Sequence, residues 1–252
     1  MRKILPIVHY EYKMLSRRFA TWGVLVAATV ISLLDNFPSI SNLDRLEFLS
    51  QPDYFVFRIM SLSGLLLVFG LMFLLSDRFR IDIKTGVKPL FMAAPIKKSQ
   101  YINAKLFAGF LYAITMIILY LTVCLIIYIM FSPARNSISE YLAPLGKVIV
   151  ISVIPVSFFI GFCAIALPAI LDIRLFYFVI SIIFIINAIT VGSAEKIPFY
   201  LVFGDLVKLI WQHPKFPFND TNSMIANLFF LIGCGLVSWA LLFLRRRFWR
   251  NE

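Results

Sequence analysis

Cysteine, histidine and acidic residues are all scarce in this chain. Three cysteines, Cys124, Cys163 and Cys234, lie far apart inside apolar runs. That leaves no basis for a disulfide framework or a cysteine zinc site, and they read as small buried hydrophobes. The two histidines, His9 and His213, lack metal-ligand spacing. The 11 glycines never fall into the phosphate-loop pattern G-x-x-x-x-G-K-[ST], so the chain has no ATP site of that kind. No H-E-x-x-H or G-x-S-x-G signature occurs. Only 13 residues are Asp or Glu, and those nearest the apolar runs, Asp35, Asp77 and Asp172, stand at run ends. A carrier driven by protons or sodium needs a carboxylate or histidine at mid-depth. Its absence argues against a self-powered carrier and a cation channel, and places any energy source outside this chain.

What the chain has is oil and basic charge. Of its 252 residues 61% are hydrophobic, against roughly 45–50% in soluble domains, and the mean hydropathy is +0.89. The fold class that follows is an all-α polytopic membrane protein, one transmembrane domain over 1–252. Six apolar runs, at about 19–34, 59–76, 106–131, 148–171, 175–191 and 224–244, have lengths near the roughly 17–25 residues a crossing helix needs. Ahead of them, 3–18 reads as an amphipathic interfacial helix. Leu5, Val8, Tyr12, Leu15 and Phe19 recur at helical spacing, with Lys3, Lys13, Arg17 and Arg18 opposite.

The net charge of +11 comes from basic residues that flank the apolar runs. Headgroups and topology account for it better than nucleic acid does. With the N-terminus inside, 17 Lys and Arg fall on the inner side and 7 on the outer, which sets an N-in, C-in topology. The host membrane is read as the plasma membrane of a bacterium. The fourth run holds Pro155, Gly161 and Pro168, a candidate hinge, because proline removes a helical hydrogen bond and kinks the chain. The outer loop 192–223 carries three prolines and several aromatics, fitting a piece that rests on the outer leaflet.

The most basic loop is the inner one, 77–105. Asp82 or Thr85 is expected to cap a short helix over about 85–94, ended by Pro95, and Ser99 to cap the next helix. That short helix is apolar, and apolar surface on an inner loop marks a protein or membrane contact.

In the order of these parts the chain resembles the permease subunits of type-2 (type V) ABC exporters. The motif-like part is the loop itself, with Gly86, Leu90, Pro95, Ile96, Tyr101 and Lys105 in sequence. The family's pattern has glycine before the lysine and commonly serine or leucine before the proline, where this chain has Ala104 and Ala94. The resemblance implies a dimer of six-helix units, each pairing with a second copy or a related permease. It implies a separate cytoplasmic ATPase chain that holds ATP and Mg and docks on a coupling helix carrying Thr85, Gly86, Val87, Lys88, Leu90, Phe91 and Met92. It also implies an outward cargo path between the units, with the second and fifth spans at the axis. Spans with few polar groups suit a hydrophobic or amphipathic cargo: a peptide, an antibiotic or a lipid. The alternatives are a lipid-modifying membrane enzyme, which needs Asp77, Arg78, Arg80, Asp172 and Arg174 to converge, and a non-transporting immunity or sensor subunit.

Overall fold

The computed structural model describes residues 4–36, 51–60, 62–86, 96–131, 137–191 and 221–245, and all regular structure among them is helical. The elements are α1 (Ile4–Ser16), α2 (Phe19–Asn36), α3 (Pro52–Met60), α4 (Leu62–Leu75), α5 (Arg78–Lys84), α6 (Lys98–Phe131), α7 (Ile138–Val148), a π-helical turn (Ile149–Val153), α8 (Ile154–Ile170), α9 (Ile173–Val191) and α10 (Thr221–Leu244).

Length and composition qualify four stretches as membrane spans: Pro52–Asp82, Lys98–Phe131, Ile138–Ile170 and Met224–Leu244. A fifth arises if α1 and α2, bent by 61°, are counted as one. Among the described residues the chain is thus α-helical, with four or five apolar helices able to cross a bilayer, and α9 forms a shorter apolar helix over Ile173–Ile189. The expected runs lie within these helices, but several helices are longer. α6 begins eight residues before the apolar run at 106, and α7 extends the fourth span backward to Ile138. Backbone hydrogen bonding continues past the last apolar residue, so apolar length underestimates helix length.

α1 confirms the helix expected over 3–18, with its buried face turned from the expected stripe. Ile7, Val8, Glu11 and Leu15 are buried, whereas Leu5 is 68% and Phe19 89% exposed. The cause is a partner within the chain. α1 packs on α6, where Ile7 and Val8 meet Ala104 and Ala108, and Tyr12 sets its ring edge-on to Tyr112 at 5.7 Å.

α8 is the central strut. It lies against α6, α10 and α4. The approach to α6 is close enough to need glycine: a Cβ on Gly161 would lie 2.4 Å from the Phe110 nitrogen, and one on Gly109 would lie 2.4 Å from Ile165 Cδ1. α4 meets α9 through two stacked ring pairs, Phe69–Phe184 at 4.3 Å and Phe73–Tyr177 at 4.5 Å. Some buried hydroxyls are spent on backbone, as Tyr120 donates to the Ile59 carbonyl at 2.6 Å.

The hinge candidates divide. Pro155 sits just past the π turn, where the Ile154 N–H reaches back to the Ile149 carbonyl. Proline has no N–H, and its ring crowds the turn before it, so a widened turn relieves that crowding. Pro168 is buried in the last turn of α8. Gly161 is a packing contact against the α6 backbone.

Candidate functional site

The chemistry-bearing side chains gather at one end of the molecule, where α1, α5 and the start of α6 meet. Glu11 projects from α1. One of its oxygens accepts from Arg78 Nη2 at 2.5 Å and the other from Lys105 Nζ at 2.7 Å. Lys105 Nζ also lies 2.7 Å from Asp82 Oδ2, and the Tyr101 hydroxyl donates to the same oxygen. The Lys105 ammonium stands 5.4 Å from the Tyr101 ring centre and 5.7 Å from that of Phe79, within cation–π reach. Arg78 and Lys105 are each 1% exposed.

Two cations and two carboxylates balance, which is how buried charge becomes tolerable. Burial alone would raise the Glu11 carboxyl, but Lys105 and Arg78 outweigh it and hold the group below its ordinary value. Glu11 is therefore ionised at neutral pH and serves as the link between α5 and α6. Nε and Nη1 of Arg78 are buried without a hydrogen-bond partner, so the cluster does not saturate its donors. A second pair reinforces the joint from the rim. Both terminal guanidinium nitrogens of Arg18 reach Asp77, at 3.1 and 3.3 Å, and Nη1 also donates to the Leu74 carbonyl at 3.0 Å.

This arrangement fastens three segments together. Its carboxylates are engaged by basic partners, so it is better suited to holding geometry than to proton transfer. It also corrects two expectations for the loop, the capping roles of Asp82 and Ser99. Asp82 lies inside α5 and turns inward to Lys105. Thr85 closes α5: its hydroxyl and its N–H both donate to the Ile81 carbonyl, each at 2.8 Å, and the short helix expected over 85–94 lies, beyond Gly86, outside the described residues. At the start of α6 the Gln100 side chain accepts from the Lys97 N–H at 3.1 Å, the back-bond of a capping box, while Ser99 lies within the helix. The loop's basic residues also divide, since Arg78 and Lys105 are buried in ion pairs whereas Arg80 is exposed.

Of the coupling residues, Thr85 and Gly86 are in view. Gly86 has φ +68°, the left-handed conformation that ends a helix and favours glycine. Val87, Lys88, Leu90, Phe91 and Met92 lie outside the described residues. The motif residues Tyr101 and Lys105 are brought together with Glu11 and Asp82. Glu11 was missed on sequence, and its signal was a single acid on the apolar face of a basic amphipathic helix.

Of the five residues an enzyme reading needs, three are engaged by other groups. Asp77 pairs with Arg18, Arg78 with Glu11, and Asp172 accepts from the Arg174 backbone N–H at 3.1 Å. Among the described residues no cluster of His, Cys, Asp and Glu could hold a metal ion. No family model, curated protein or solved structure matches this chain.

Proposed function

We propose that this chain is the membrane-spanning subunit of an ATP-binding-cassette exporter. In that reading six spans cross the plasma membrane of a bacterium, both termini are inside, and a separate ATPase with ATP and Mg docks on the loop between α5 and α6. One observation carries it. The two ends of that loop are pinned, by Asp82 on one side and Tyr101 and Lys105 on the other, to each other and through Glu11 to α1. A loop whose base is locked to a transmembrane helix and to a surface helix can transmit a push. A free loop would absorb it. Residues 87–95, with Leu90, Phe91 and Met92, are the surface such a partner would press on. α4 and α9, the helices that would face the axis, lie against each other through Phe69, Phe73, Tyr177 and Phe184. A second copy or a related permease would complete the path for a hydrophobic or amphipathic cargo.

The test is co-purification from native membranes. The tagged chain is expected to bring down an ATPase, and Leu90→Asp with Phe91→Asp to release it. An intact preparation that carries no ATPase activity, or one whose activity ignores both substitutions, contradicts the proposal.

A further inference from the structure

A cavity of about 500 Å³ lies between α8, α9 and α10. Its wall includes Phe159, Cys163, Ile180, Phe229, Gly233 and Cys234. The one hydroxyl in the wall is spent, because Ser238 donates to the Cys234 carbonyl at 2.7 Å and meets Cys163 Sγ at 3.3 Å. Such a space offers no polar recognition and suits only an apolar occupant.

Two glycines on α10 show that the space is open. A Cβ on Gly235 would lie 2.6 Å from the Phe158 ring, so that glycine lets α10 approach α8. A Cβ on Gly233, two residues earlier, would meet nothing within 4 Å. Gly233 relieves no crowding, and its missing side chain enlarges the cavity.

The cavity's shape and its charged end point to one occupant. On α8 the lining runs from Leu171 back to Phe159, which at a rise of 1.5 Å per residue is about 18 Å. One leaflet of a bilayer's hydrocarbon is about 15 Å deep. At the Leu171 end the exposed Arg174 opens α9, and Arg245 lies against the end of α8, its Nη1 donating to the Ala169 carbonyl at 2.7 Å. We propose that this cavity holds one acyl chain of an anionic phospholipid from the leaflet on the Arg245 side, with the lipid phosphate beside Arg174 and Arg245. This inference is independent of whether an ATPase binds the chain.

The experiment uses the full chain in lipid nanodiscs with a phosphatidylglycerol probe that carries a photoreactive diazirine midway along one acyl chain. Labelled residues are mapped by mass spectrometry. The expected result is labelling at the buried Phe159, Cys163 or Ile180, more from phosphatidylglycerol than from a phosphatidylcholine analogue. Gly233→Phe is expected to abolish those labels and Gly233→Ala to retain them, with thermal unfolding of each variant as the check on folding. Labelling confined to outward residues such as Phe178 and Ile189 overturns the proposal without any variant. Equal labelling from the two headgroups overturns the role given to the arginines.

Discussion

The α1–α5–α6 junction and the α8–α9–α10 end solve the same problem in opposite ways. Both join three helices. The first joins them with charge: each of Glu11, Asp82, Lys105 and Arg78 has a partner on another segment, in fixed geometry. The second joins them mainly with apolar surface, apart from the Arg245 bond to the end of α8, and leaves about 500 Å³ unfilled. A buried ion network has one good arrangement, and any displacement leaves uncompensated charge. Apolar contacts are non-directional, so helices that rely on them can shift and repack. The junction is therefore the rigid part and the α8–α9–α10 end the compliant one. The exporter proposed above would need this order, stiff where its ATPase would push and yielding where cargo or lipid would be accommodated.

The contrast can be broken most severely at Glu11. Glu11→Ala strands Arg78 and Lys105 without their shared carboxylate, and the expected loss is about 3–5 kcal/mol, read as a fall in the thermal midpoint in detergent. A loss no larger than that of a surface pair would make the cluster incidental.

Gly161→Val comes next. Its new Cβ would meet the Phe110 backbone at 2.4 Å, and backbone cannot swing aside, so a cost of about 1–3 kcal/mol is expected. Gly233→Ala, in the same bundle, meets open space, and the gain in helix propensity should leave it neutral or stabilised by up to about 1 kcal/mol. Equal effects at the two glycines would erase the distinction between tight and open packing.

Acid sharpens the picture without a mutation. A carboxyl held below its unfolded value of 4.5 contributes stability above that pH. The contribution fades as pH falls beneath it and is gone once the native carboxyl is also protonated. Unfolding followed across that range should show wild type losing stability that Glu11→Gln, already without the charge, does not lose. The smallest effect is expected from Arg18→Gln, whose partner Asp77 is partly exposed, at about 1 kcal/mol or less.

Much of the fold was legible because apolar length and helical period are local properties. The helix over 3–18 and the apolar runs could be placed from the order of side chains alone. Glu11 could not be interpreted that way, since its partners are 67 and 94 residues away. On sequence it is one acid in a basic helix, and Arg78 and Lys105 look like the rest of a topology-setting basic loop. The glycines fail for a related reason. Gly161, Gly233 and Gly235 look equivalent in an apolar run, and only the position of a neighbouring helix decides which one fills a contact and which leaves a void. Asp82 was misread because it is a good cap, and a residue's capping propensity does not say which end of which helix it serves.

The central claim is that α1 and the base of the loop between α5 and α6 move as one body because Glu11 ties them. Spin labels at Tyr10→Cys on α1 and Arg80→Cys on α5, both exposed, placed in a chain whose native cysteines are replaced, report the distance between the two helices by pulsed electron resonance. The account predicts one narrow distance distribution in the otherwise intact chain, and a broad or split one when Glu11→Gln is added. A distribution that stays narrow and unmoved without the Glu11 charge would contradict it.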